Sequence, residues 1–164
     1  MALTDFTTYS DIRAIVGLTS DELPDSDLDL ESFIFGLQFE LKSVGATLEA
    51  DYMDAMIAVQ QATATVAQTD FYRATKLFST TYVGLTVAYS LPMRAQKSIT
   101  DGKAGVTRFS DSPYKETLNN LQTLTAAAKA AMSEKYSILK GIVTRRTLAT
   151  FMLAVRPSTD PVTG

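Results

Sequence analysis

Asp70-Phe71-Tyr72-Arg73-Ala74-Thr75-Lys76-Leu77-Phe78-Ser79-Thr80-Thr81-Tyr82-Val83-Gly84-Leu85-Thr86-Val87-Ala88-Tyr89 sets the class of this chain. Phe71, Ala74, Phe78, Tyr82, Leu85 and Tyr89 recur every three or four residues, the period of one helix face. Thr69-Asp70 reads as a helix start, and Pro92 kinks or ends the element because its ring and missing N–H disrupt the ladder. From Leu77 to Met93 there is no charge for 17 residues. That run holds Ser79, Thr80, Thr81, Gly84 and Pro92, and it is shorter than the roughly 20 apolar residues of a membrane span. The expectation is a buried helix of a soluble helical protein, with no membrane partner.

Upstream, the same period repeats. A first helix starts near Thr8, with Thr8 or Ser10 as cap, Asp11 in the first turn and Ile12, Ile15 and Val16 on its apolar face. Gly17 suits the left-handed residue that closes it. Thr19-Ser20-Asp21-Glu22 is a capping-box pattern that Pro24 limits to about one turn. A second helix from Asp25 or Ser26 carries Leu30, Phe33, Ile34, Leu37 and Leu41, and Gly45 ends it. Phe39 falls off that stripe and is placed toward a partner. A third helix is expected from Thr47 to Gln68, with Leu48, Tyr52, Val59 and Val66 on its apolar side. Its uncharged stretch from Ala55 to Thr69 suits a helix surrounded by others.

Downstream, the segment from Ile99 to Phe109 contains Asp101-Gly102, a turn dipeptide, and reads as a small hairpin or ordered loop that positions Lys103 and Arg108. Ser112-Pro113 opens a last long helix, lined by Tyr114, Leu118, Leu121, Leu124, Ala128, Met132 and Leu139 and closed by Gly141. The fold expected is therefore all-α, a bundle of about four to five helices over residues 1–141. Residues 142–164 read as an extended, strand-forming C-terminal arm and tail. Both alternating faces of Leu148 to Val155 are largely apolar, and no second strong strand exists in the chain to pair with it. A lone strand leaves its N–H and C=O groups unpaired once water is excluded. Pairing with another subunit or protein resolves this; packing on the bundle as one more core element is the competing reading. Fully extended, Gly141 to Pro157 reaches about 50 Å.

The 164 residues are 46 % hydrophobic and 20 % charged, enough for one domain with a real core. No Cys and no His occur, which excludes thiolate and imidazole metal sites, cysteine nucleophiles and Ser-His-Asp machinery. No paired carboxylates stand out for acid–base work, so the chain is not read as an enzyme and no cofactor or metal is expected. Asp25 to Leu30 mimics the start of a calcium loop, but Leu30 and Gly36 stand where that loop needs Gly and an acid. Gly102-Lys103 lacks the rest of a phosphate loop, since Lys97 and Ala104 occupy the Gly and hydroxyl positions.

The formal net charge of -3 is unevenly placed. Residues 1–55 hold twelve acids against Arg13 and Lys42, whereas residues 56–139 hold nine bases and five acids, and residues 140–164 four bases and one acid. Such a polar chain suits head-to-tail association, acidic face to basic face. Acidic walls also suit a passage through which DNA slides without sticking, because they offer no counterion-releasing contacts.

The stretch Thr8-Tyr9-Ser10-Asp11-Ile12-Arg13-Ala14-Ile15-Val16-Gly17-Leu18-Thr19-Ser20-Asp21-Glu22-Leu23-Pro24-Asp25 resembles the opening of head-to-tail connector (adaptor) proteins of tailed bacteriophages. Ile99 to Asp111, followed by a long Ala-rich helix, is similar to the loop such adaptors carry before their last helix. The resemblance runs in order and spacing through most of residues 8–139. It implies a structural virion protein of the capsid–tail neck, assembled in the host cytoplasm as a homo-oligomeric ring, commonly of twelve copies. Such a ring sits under the portal protein, receives a tail or stopper protein on its other face, and passes double-stranded DNA through its lumen without sequence preference. By the same resemblance the arm docks on the portal, with Phe151, Leu153 and Val155 as apolar anchors and Arg145 and Arg146 as charged contacts. Asp101, Gly102, Lys103 and Arg108 then belong to a loop facing a neighbouring subunit or the lumen. The alternative function is a small helical DNA-binding packaging factor, for which steeply salt-dependent DNA affinity is the mark.

Overall fold

A computed structural model describes the backbone of residues 2–100 and 111–142, with side chains at 2–91 and 115–142. Six α-helices follow a short 3-10 turn at Leu3–Asp5: α1 (Tyr9–Val16), α2 (Asp25–Leu28), α3 (Glu31–Val44), α4 (Leu48–Gln60), α5 (Val66–Thr100) and α6 (Asp111–Leu139). The chain is thus mostly helical, as its apolar periods require, with no strand among the described residues. The strand-forming arm expected over 142–164 lies outside the described residues apart from Ile142.

The opening forms as the caps dictate. Thr8 Oγ1 accepts from the Asp11 N–H at 3.1 Å and starts α1. Gly17, at φ 74°, takes the left-handed conformation that stops it. Glu22 Oε2 accepts from both the N–H and the hydroxyl of Thr19, each at 2.9 Å. Arg13 clamps the returning chain: its Nε donates to the Leu23 carbonyl at 2.7 Å and its guanidinium pairs with Asp25.

Four boundaries differ from expectation. The second predicted helix is two, because the chain breaks at Asp29 and Leu30; Leu28 rather than Leu30 reaches the core, and Leu30 is exposed. The predicted helix from Thr47 to Gln68 stops at Gln60. Ala62 stops it, at φ 56°, with Ala62 N–H bonded to the Val59 carbonyl at 3.2 Å and Thr63 N–H to the Ala58 carbonyl at 2.9 Å. This is the paired closing pattern usually built on glycine. The next helix then begins at Val66, not Asp70. Thr65 Oγ1 accepts from the Gln68 N–H at 3.2 Å and Gln68 Oε1 accepts from the Thr65 N–H at 2.9 Å, a capping box four residues earlier than the predicted start. Pro92 does not end α5, which runs on through Ile99 to Thr100, so the predicted loop cannot begin at Ile99. Residues 101–110 lie outside the described residues.

α5 is the centre of the bundle. Phe71, Thr75, Phe78, Ser79, Thr80, Thr81, Val83, Val87 and Ala88 are all buried, which no single stripe could supply. Tyr89, expected inside, is 50 % exposed. α6 runs antiparallel to α5, through Lys135 Nζ to Asp70 Oδ2 at 3.0 Å, Thr125 Oγ1 to the Thr81 carbonyl at 3.2 Å, and Gln122 to the Tyr89 hydroxyl. Leu121, Thr125, Ala128, Met132 and Tyr136 form its single buried stripe, and Leu124 points outward instead. α4 closes another side with a stack: Phe6 on Tyr52 at 5.0 Å and Tyr52 on Tyr72 at 5.5 Å between ring centres. The Tyr52 hydroxyl donates to the Asp5 carbonyl at 3.0 Å, and burial pushes its ionisation far above the ordinary range. Gly141, at φ 65°, ends α6 as expected, with Ile142 N–H bonded to the Ser137 carbonyl at 2.9 Å.

Candidate interaction surfaces

α1 and α3 flank α5 on opposite sides. On one side Thr7 Oγ1 meets Thr80 Oγ1 at 2.7 Å, Asp11 faces Lys76 at 3.8 Å, and a Cβ placed on Gly84 would stand 3.1 Å from Ile15. On the other, a Cβ on Gly36 would stand 3.0 Å from the Tyr82 hydroxyl. Thr80 and Tyr82 are two residues apart, a rotation of roughly 200° at 3.6 residues per turn.

Between α1 and α5 lies an open cleft of about 420 Å³. Ala14, Ile15 and Leu77 make its apolar floor, and Asp11, Arg73 and Lys76 stand around it. Leu77 is 48 % exposed there. Its neighbouring hydroxyls are already committed: Thr80 Oγ1 donates to the Lys76 carbonyl at 2.9 Å, leaving Thr7 to donate to Thr80.

The outer face of α3 is aromatic. Phe33, Leu37 and Leu41 are buried, while Phe35 is 61 % and Phe39 is 74 % exposed. Phe39, set aside in the sequence for a partner, does leave the core; Phe35 belongs with it. Spaced i, i+4, the two exposed phenyl rings share one face of α3.

A third feature ties α6 to the corner between α3 and α4. A Cβ on Gly45 would meet Tyr136 Cε1 at 2.4 Å, so this position must be glycine for the ring to approach; its own φ of -167° is ordinary extended backbone. The Tyr136 hydroxyl sits 3.0 Å from Thr47 Oγ1 and 3.2 Å from Asp51 Oδ2, and Lys140 Nζ pairs with the same carboxylate oxygen at 2.7 Å. Burial pushes the Asp51 carboxyl up, but hydrogen bonds from Lys140, Thr47 and Tyr136, with the Lys140 charge, outweigh it and hold it below the usual carboxylate range. The bond to Asp51 raises Lys140 in turn. Lys129 Nζ to Glu40 Oε2, at 2.6 Å, adds a second tie between α6 and α3. The arrangement is a structural clamp.

The residues singled out in the sequence as contacts, Asp101, Gly102, Lys103 and Arg108 in the loop and Arg145, Arg146, Phe151, Leu153 and Val155 in the arm, all lie outside the described residues. Among the described residues no group of three or more acidic side chains is placed to hold a metal ion, and no helix is long and apolar enough to cross a membrane. The cleft was not foreseen, because its floor is shared between helices far apart in the chain. Compared with known proteins, the chain matches no protein-family model, no curated protein and no solved structure.

Proposed function

We propose that this chain is a structural subunit of a virion neck, a head-to-tail adaptor that assembles as a ring and links a portal protein to a tail or stopper protein. Residues 142–157 dock on the portal in this role, with Arg145, Arg146, Phe151, Leu153 and Val155 as its contacts. The 101–109 loop faces a neighbouring subunit or the lumen, and DNA passes the ring without sequence-specific contact. The protein works by positioning partners, and it catalyses nothing.

The observation that carries the reading is the opening at residues 8–25, whose residues resemble those of phage adaptors. Thr8 caps α1, Gly17 turns the chain, the Thr19–Glu22 box holds the turn, and Arg13 pins its far end at Leu23 and Asp25. The helical bundle and the exposed rings of Phe35 and Phe39 are further support, since a ring subunit must leave apolar surface for its neighbours.

Co-purification with the portal protein encoded in the same genome tests it. The full chain should be retained by the portal. A chain ending at Ile142 should keep the helical circular-dichroism signal and lose retention. Retention of the shortened chain at full strength contradicts the arm assignment, and failure of the full chain to bind contradicts the function.

A further inference from the structure

We propose that the Phe35–Phe39 face of α3 in one copy docks in the α1–α5 cleft of a second copy, giving a head-to-tail contact. The inference goes beyond the adaptor reading and does not require it, since it uses two surfaces of the folded bundle and no portal.

The two surfaces are both apolar and open to solvent. Phe39 lies two residues from both Leu37 and Leu41, which are buried, so its ring points away from the core. The cleft of about 420 Å³ has an apolar floor of Ala14, Ile15 and Leu77 and opens to solvent. A phenyl ring seated there would lose much of the surface that leaves it 74 % exposed. Aromatic side chains bury about 150–250 Å² each when enclosed, which is why they anchor interfaces.

They also fit in charge. Glu31 stands one turn before Phe35 on α3, and Arg73 and Lys76 stand at the cleft. Asp11 is met by Lys76 of its own copy at 3.8 Å, which leaves Arg73 as the cleft charge that Glu31 can pair with. Charges of this kind at a rim set orientation and partner choice more than affinity.

Placement decides the symmetry. The cleft is on the Thr80 side of α5 and α3 is on the Tyr82 side. One molecule therefore cannot fill its own cleft with its own α3. A two-fold dimer would have to engage both surfaces of each copy in one interface, which surfaces on opposite sides of α5 do not allow. The contact must be heterologous, and a heterologous contact propagates into a ring or a filament according to its rotation.

Sedimentation velocity on the full chain tests it. The wild-type chain should pass from monomer to species larger than a dimer as concentration rises. Phe39→Asp and Leu77→Asp, at exposed positions, should each keep the wild-type helical spectrum and self-associate at least tenfold more weakly. Mixed in equal amounts, the two variants should form dimers and stop there, because the Phe39→Asp copy keeps its cleft and the Leu77→Asp copy keeps its rings. If Leu77→Asp loses its helical signal, Arg73→Glu at the exposed rim takes its place with the same expectation. A wild-type chain that stays monomeric, variants that assemble like wild type, or a mixture that stays monomeric overturns the proposal. Portal retention of both variants as monomers would leave the adaptor reading standing and separate the two failures.

Discussion

α5 and α6 are the two long helices of this chain, and they enter the core in different ways. α6 buries one stripe, from Leu121 to Tyr136, and leaves Leu124 and Ile138 in water. α5 is enclosed on all sides from Phe78 to Ala88 although hydroxyls fill much of that stretch. Ser79 donates to the Thr75 carbonyl at 2.8 Å, Thr80 to Lys76 at 2.9 Å, Thr81 to Leu77 at 3.0 Å and Thr86 to Tyr82 at 2.9 Å. Each hydroxyl is satisfied by its own helix one turn back, so it needs no partner elsewhere. The mark of an enclosed helix here is the absence of charge, and that of a peripheral helix is a periodic stripe.

The contrast breaks most visibly under truncation. Phe78→Ala on α5 should cost about 3–5 kcal/mol of unfolding free energy, whereas Leu124→Ala on α6 should stay within about 0.5 kcal/mol. Urea unfolding of both variants compares them, and equal losses would dissolve the distinction between centre and periphery.

α6 depends instead on its clamp. Gly45→Ala forces a methyl into the Tyr136 ring and should cost about 1–3 kcal/mol, read by thermal melting, with Gly17→Ala as a control that meets no neighbour but pays for its positive φ. Asp51→Asn removes the charged acceptor shared by Lys140, Thr47 and Tyr136 and should cost about 1–2 kcal/mol at neutral pH. Because Asp51 is held below its ordinary value of 3.8, its contribution is present above that value and is lost as pH falls through the lower folded one. Lys140 is raised above 10.5, so its share is present below that value and fades as pH rises through the folded one. Wild type should therefore lose melting temperature below about pH 4 more steeply than Asp51→Asn.

How far the sequence revealed this fold depends on which residues made each boundary. Gly17 and Gly141 were legible as helix ends because glycine is the ordinary left-handed residue. Ala62 was not, since alanine is the best helix former and nothing local announces φ 56°. The Thr65–Gln68 box was a readable signal that the uncharged run around it obscured. The α5 stripe was legible through Phe71 and Phe78, with Ala74 and Tyr82 packed against the core, but it missed Thr75 and Ser79, whose hydroxyls occupy the core where periodicity looks for hydrocarbon. The α3 rings were half legible, Phe39 by its phase, while Phe35 gained meaning only beside it. The cleft required tertiary structure altogether.

The smallest effects refine these points. Ala62→Gly should stabilise by up to about 1 kcal/mol, because it removes the left-handed strain of a Cβ. Thr75→Val should be neutral or stabilising by a similar amount, since the buried Thr75 hydroxyl has no hydrogen-bond partner among the described residues. A loss of more than about 1 kcal/mol on differential scanning calorimetry would contradict either assignment.

Electron microscopy of the full chain mixed with a tailed-phage portal protein bears most directly on the proposed adaptor role. Images should show a ring of copies of this chain coaxial with the portal and pierced by a continuous lumen. Bare portals in the presence of excess chain, with this protein dispersed as free monomers, would contradict the account.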